Sequence, residues 1–106
     1  MPGFKFSTFT QTQGGVSYTL SISQQQQSTW DGSFVIIDQG PPRVVPLRGE
    51  LGASGVLAFS GVVDGDGYAL CGYGTYDGAA TISGNLFIRG LEAQGPIRLD
   101  LRASAT

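Results

Sequence analysis

The chain of 106 residues reads as all-β, one single domain over residues 1–106, folded as an antiparallel eight-stranded up-and-down β-barrel. Three observations lead there. Apolar and polar residues alternate with a period of two, which sends successive side chains to opposite faces of a sheet. Pairs of Gly, Asp and Pro punctuate the chain at short intervals, so consecutive strands are joined by tight turns and run antiparallel. Glycines also fall inside the strands, where a closing sheet needs bends. A two-sheet β-sandwich uses the same alternation and is the alternative.

The expected strands cover residues 4–13, 16–28, 33–38, 43–51, 56–63, 68–76, 80–88 and 96–103. Gly14-Gly15 ends the first. In the second, Val16, Tyr18, Leu20 and Ile22 alternate with Ser17, Thr19, Ser21 and Ser23; Gln24 to Gln27 prolong it as a solvated strand end. Asp31-Gly32 reads as the next turn, because glycine supplies positive φ and Asp bonds its own backbone there. The apolar run Phe34 to Ile37 follows, then the turn at Gln39-Gly40-Pro41-Pro42. Gly52 to Gly55, Asp64 to Gly67 and Asp77-Gly78 separate the next strands. In the sixth, Cys71 and Tyr73 share one face and Tyr68, Leu70 and Tyr76 the other. The last sets Ile97, Leu99 and Leu101 against Arg98, Asp100 and Arg102, which can pair across strands on an outer face.

A weak internal repeat agrees with this meander. Segments beginning at Asp31, Ser54 and Asp77 align with a spacing of 23 residues, about one hairpin. Interior glycines at 49, 61, 72, 74 and 84 fit the bends of a closed wall, and closure removes the exposed edges of an open sheet. If Gly49, Gly61, Gly72 and Gly84 point inward they leave space in the barrel, and their direction bears on whether it holds a ligand or is filled by its own side chains.

The eight-strand meander resembles a small barrel of the calycin or avidin type. The resemblance rests on pattern. Those families carry a Gly-x-Trp or Gly-Thr-Trp on an early strand, whereas here Ser28-Thr29-Trp30 closes the second. No functional residue is therefore carried over. The resemblance implies only that such barrels often bind a small ligand at one open end, and a shared fold is a weak warrant for function.

Composition excludes several functions. Seventeen of the residues are glycine, against a usual share of about 7%. There is no histidine, which removes Ser-His-Asp and Cys-His catalysis, HExxH zinc sites and histidine proton shuttles. A net charge of −2 speaks against a nucleic-acid partner, which would need a basic face. The single cysteine, Cys71, forms no disulfide within one chain and is expected as a buried thiol. No signal-peptide-length apolar stretch follows Met1, and the run Phe34 to Ile37 is far below the roughly 20 residues of a membrane helix. The expectation is a soluble chain without a membrane partner, with no cofactor and no metal, and with the compartment unassigned.

Turn parity supplies the candidate site. Alternate turns of a meander lie at one end, so the turns at 31–32, 52–55 and 77–78 bring Trp30, Asp31, Tyr76 and Asp77 to a common rim. Aromatic rings beside carboxylates can stack on a glycan or hold a small apolar molecule, and the same rings can simply cap a core. Asp31 and Asp77 are unsuited to acid–base catalysis. They sit across a barrel on the order of 15 Å wide, whereas such pairs need roughly 5–9.5 Å. Asp64-Gly65-Asp66-Gly67 fails as a calcium loop after two ligands and reads as a hairpin turn. The arginines are dispersed, and an anion site would require Arg43 or Arg48 to point inward. The leading expectation is a non-enzymatic small-ligand or glycan binding module; the alternative is a structural or protein-interaction barrel with a filled core. Tyr68, Tyr73 and Tyr76 cluster on the sixth strand, and an aromatic face turned outward there would suit a homo-oligomer, although ordinary packing would look similar.

Overall fold

The computed structural model describes residues 3–62, 69–89 and 95–104. Eight strands run in chain order: β1 (Thr8–Gln13), β2 (Val16–Gln26), β3 (Thr29–Ile37), β4 (Arg43–Leu51), β5 (Val56–Val62), β6 (Ala69–Tyr76), β7 (Thr81–Ile88) and β8 (Ile97–Ala103). Each pairs antiparallel with its chain neighbours, and β8 returns to β1, so the sheet is a closed barrel and not a sandwich. No helix among the described residues is long and apolar enough to cross a membrane. The Asp64 to Gly67 turn and Tyr68 lie outside the described residues.

Local chemistry accounts for the hairpins. Gln13 faces Val16 across a two-residue loop in which Gly14 and Gly15 have φ of 59° and 81°. Two positive φ values are what a tight hairpin needs to match the twist of its strands. The first strand starts at Thr8, later than the expected residue 4, because residues 3–6 leave the sheet and cross the barrel end.

The second connection is displaced from the sequence expectation. Asp31-Gly32 is not a turn; it lies inside β3, and the chain reverses at Gln27-Ser28, between the paired Gln26 and Thr29, with Gln27 at φ 50°. Gly32 is required for another reason. The Ser21 carbonyl oxygen occupies the place where a Cβ would project. This close approach accompanies a bulge, since the register skips Ser23 between Ile22↔Gly32 and Gln24↔Asp31. The Ser23 hydroxyl donates to the Asp31 carbonyl at 3.1 Å. The extra residue shifts the alternation, so Gln25 follows Ile22 on the inner face, opposite Trp30. The glutamine run is therefore only partly a solvated strand end.

The interior is filled by alternate residues of all eight strands, including Phe9, Leu20, Phe34, Val45, Leu57, Ile82, Leu86 and Leu101. Gly49, Gly61, Gly72 and Gly84 stand at inward positions, but they leave no void beside them. A Cβ at Gly49 would overlap the Trp30 indole, and one at Gly72 would overlap the Phe59 ring. At Gly61 and Gly84 the neighbouring strand itself closes in, through the carbonyl oxygens of Pro46 and Tyr73. Large rings from one strand thus seat on glycines of the next. They link into a column: Tyr18 to Phe34 at 6.2 Å between centroids, Phe34 stacked on Phe59 at 5.9 Å, Phe59 to Trp30 at 5.9 Å, and Trp30 to Phe4 at 5.7 Å.

Gly72→Ala is expected to destabilise the fold by about 1–3 kcal/mol through overpacking against Phe59. Adding Phe59→Leu should recover part of that loss, a non-additivity measurable by urea unfolding. Gly32→Ala should cost more than Gly72→Ala, because a sheet carbonyl yields less readily than a ring.

Candidate functional site

The barrel end that carries Trp30 is capped from within the chain. Residues 3–6 cross it, and the Phe4 ring lies 5.7 Å from Trp30, 5.0 Å from Tyr76 and 5.9 Å from Phe9. The crossing is pinned by side chains. Gln25 Oε1 accepts from Phe4 N at 3.2 Å, and Tyr76 Oη accepts from Lys5 N at 3.0 Å while donating to the Ala79 carbonyl at 3.0 Å. Trp30 is only 2% exposed and Tyr76 6%.

The four residues expected at a rim do come to this end, but not to one surface. Neighbouring residues of a strand point to opposite faces. Trp30 and Tyr76 turn inward and meet through Phe4. Asp31 turns to the outer wall, where Arg48 Nε lies 3.3 Å from its Oδ1. That exposed ion pair is worth little to stability. Trp30, Asp31 and Arg48 border one open hollow of about 290 Å³, and Tyr76 and Asp77 border another of about 380 Å³ beside Lys5 and Gly52.

Asp77 organises its own turn. Its Oδ1 accepts from the backbone N–H groups of Ala79, Ala80 and Thr81 at 2.8, 3.0 and 3.1 Å. The Thr81 bond, followed by those of Ala79 and Ala80, holds the carboxyl below its ordinary value of 3.8. The three bonds favour the charged form and explain the direction.

Two further expectations are corrected. Cys71 is exposed, not buried. Its neighbours Leu70 and Gly72 take the inward positions, so strand parity overrides the general tendency of cysteine toward burial. Arg48 faces outward and forms no inward anion site; Arg43 has the inward parity of Val45 and lies in register with Ile36, but it is exposed at the start of β4. On the outer wall Tyr73, 54% exposed, stacks with Phe87 at 5.9 Å. Among the described residues no three of Cys, Asp and Glu gather as a metal site.

Phe4 and Gln25 belong to this end, and the sequence reading did not single them out. The Gln25 position depends on the bulge, which no local sequence signal announced. Gln25 Nε2 and Trp30 Nε1 are buried donors without a hydrogen-bond partner.

The fold and this end together define a closed, side-chain-filled up-and-down barrel capped by its own N-terminal segment. No family model, no curated protein and no solved structure matches the chain.

Phe4→Ala is expected to shift Trp30 emission to the red. It should also destabilise the fold by less than the ~3–5 kcal/mol of a fully buried Phe, because Phe4 is half-buried. Fluorescence spectra and thermal unfolding check both. The Asp77 carboxyl is lowered in the folded chain, so its contribution is present above pH 3.8 and is lost as pH falls through the folded value. Asp77→Asn should therefore be less stable than wild type at neutral pH, and the two should converge in acid. Urea midpoints measured from pH 7 to pH 2 test this.

Proposed function

We propose that the chain is a non-enzymatic structural and protein-interaction barrel, whose interior serves stability and whose outer surface meets partners. One observation carries this reading: the ring column from Tyr18 to Phe4 occupies the interior in which a small barrel would hold a ligand. The inward glycines, which could have opened space, are covered by Trp30 and Phe59 or by adjacent backbone. The outer faces of β5, β6 and β7 are uncharged in their described part, with Val56, Ala58, Ser60, Cys71, Tyr73, Thr75, Ser83, Asn85 and Phe87 exposed or half-buried. Surfaces depleted in charge and enriched in aromatics suit protein contacts, a homo-oligomer included.

A second reading is favoured by the two unpartnered donors. A buried donor without a partner carries a desolvation penalty of roughly 1–3 kcal/mol. An incoming acceptor at Trp30 Nε1 and Gln25 Nε2 would relieve it. In that reading Phe4 stands in for the apolar part of a small molecule or glycan, and Trp30, Asp31, Tyr76 and Asp77 frame the opening once residues 3–6 swing away.

Titration of wild type and Phe4→Ala with a medium-chain fatty acid and with simple disaccharides, followed by Trp30 emission, separates the two. The interaction reading expects no saturable change in wild type. A saturable wild-type shift would replace it with the ligand reading. A shift in Phe4→Ala alone would mark a cavity made by the substitution and leave the interaction reading in place.

A further inference from the structure

The barrel is closed least completely between its first and last strands. β1 and β8 are in register only at Phe9↔Ala103 and Thr10↔Arg102, whereas every other neighbouring pair stays in register over four residues or more. One backbone bond, Ser104 N to Thr8 O at 2.9 Å, continues the ladder in one direction. In the other direction the pairing stops although both strands go on, β1 to Gln13 and β8 back to Ile97. Regular antiparallel pairing would have set Thr12 opposite Asp100.

A side chain stands in that gap. Gln11 Oε1 accepts from the Asp100 backbone N–H at 2.7 Å, and Gln11 Nε2 donates to the Arg98 carbonyl at 3.0 Å. A carboxamide carries the same donor and acceptor as a peptide group. Arg98 and Asp100 are two apart, so both of these backbone groups face the same edge of β8. The edge therefore already holds a surrogate peptide bond, made with the groups an added strand would use. A side chain can leave such a position by rotating, which a backbone ladder cannot do without unzipping.

We propose that the β1–β8 seam is a docking edge for an extended peptide segment of a partner protein, which adds as a strand along residues 97–101 of β8 and displaces the Gln11 amide. The proposal rests on the interaction reading above and names the partner's form. Main-chain bonds would supply affinity, and alternate side chains would supply selectivity. On the outer side the segment would run beside Arg98, Asp100 and Arg102 and an open hollow of about 450 Å³ bordered by Ser83, Asn85 and Arg98. Polar or acidic side chains at alternate positions suit that row.

The probe is a synthetic peptide of residues 7–13, Ser-Thr-Phe-Thr-Gln-Thr-Gln, whose sequence already neighbours β8. It is titrated into ¹⁵N-labelled full-length chain while backbone amide shifts and Trp30 emission are read together. The expected result is perturbation centred on the Leu99, Asp100 and Leu101 amides, and binding about tenfold tighter in Gln11→Ala, where the surrogate no longer competes. Binding should be lost when alternate amides of the peptide are N-methylated. Absence of perturbation in both proteins would overturn the proposal. So would equal binding of the N-methylated peptide, since main-chain bonds would then not be used. Concentration-dependent dimerisation of Gln11→Ala by light scattering would make a second copy the occupant and overturn the partner-peptide assignment. Should Gln11→Ala not fold, the wild-type titration with the two peptides decides alone. An unresponsive edge removes only the docking edge; the interaction reading beneath it stands or falls separately, on the fatty-acid and disaccharide titration of wild type.

Discussion

The packing of large rings against glycine inside the barrel is the constraint on which the other features depend. An eight-stranded barrel is just wide enough for side chains to meet across it. If every inward position carried a branched residue, rings the size of Trp30 and Phe59 would find no room. Gly49 and Gly72 remove a Cβ where those rings lie, so a bulky side chain on one strand is received by bare backbone on its neighbour. Gly49 and Gly72, which look like weak points along their strands, are seats for the aromatic column across strands, whereas Gly61 and Gly84 let adjacent backbone close in. Burial of those rings contributes much of the hydrophobic stabilisation that 106 residues can muster. Their stacking also fixes where the interior ends, because Trp30, at the top of the column, needs a cover. Phe4 provides it.

The same constraint explains how far the sequence could be read. Alternation alone places Arg43–Leu51 at the bounds found in the structure and sets the inward Ile97, Leu99 and Leu101 against the outward Arg98, Asp100 and Arg102. These strands are regular, and a period of two is all that is needed. The repeat spaced by 23 residues falls on alternate strands, where Ile36, Phe59 and Ile82 all face inward, although Asp31-Gly32 lies inside β3 and Asp77-Gly78 lies in a turn. Reading fails where a tertiary contact reuses a local signal. Asp31-Gly32 has the composition of a turn, yet its glycine is demanded by the Ser21 carbonyl on the adjacent strand. The true reversal uses Gln27, a residue with no special liking for positive φ. Only the bulge at Ser23 makes sense of both, and a bulge is a property of two strands together.

The candidate site divides on similar lines. Turn parity places Trp30, Asp31, Tyr76 and Asp77 at one end, although the reversal there is at Gln27-Ser28 and not at the expected residues 31–32. Whether they act together depends on facing, and adjacent residues of a strand cannot share a face. Each aromatic points in and its following carboxylate points out. Asp31 then answers to Arg48 on the wall, and Asp77 to three amides of its own turn. What the inner pair lacked was a third member, and Phe4 lies far from both in sequence. A half-buried phenylalanine before the first strand has no periodic signature, so its role becomes visible only when the chain's beginning is laid across the end of the barrel.

Closure raises a last point about edges. A closed barrel is expected to have none, and a strand edge left open invites pairing with another chain. Here the first and last strands part after Thr10 and Arg102, and the exposed backbone groups of β8 are met by Gln11 instead of by β1 backbone. Each such bond has a net worth of about 1 kcal/mol. A ladder distributes that worth over many groups that must release together; Gln11 concentrates it in one side chain with freely rotating bonds. The seam is therefore protected in the isolated chain, since its donor and acceptor are satisfied, and yet exchangeable against any extended segment that offers the same two groups in series. The column of rings makes this tolerable. With the interior held by contacts across several strands, the barrel does not depend on a complete ladder at its seam, and one edge can be left to a side chain without loosening the core.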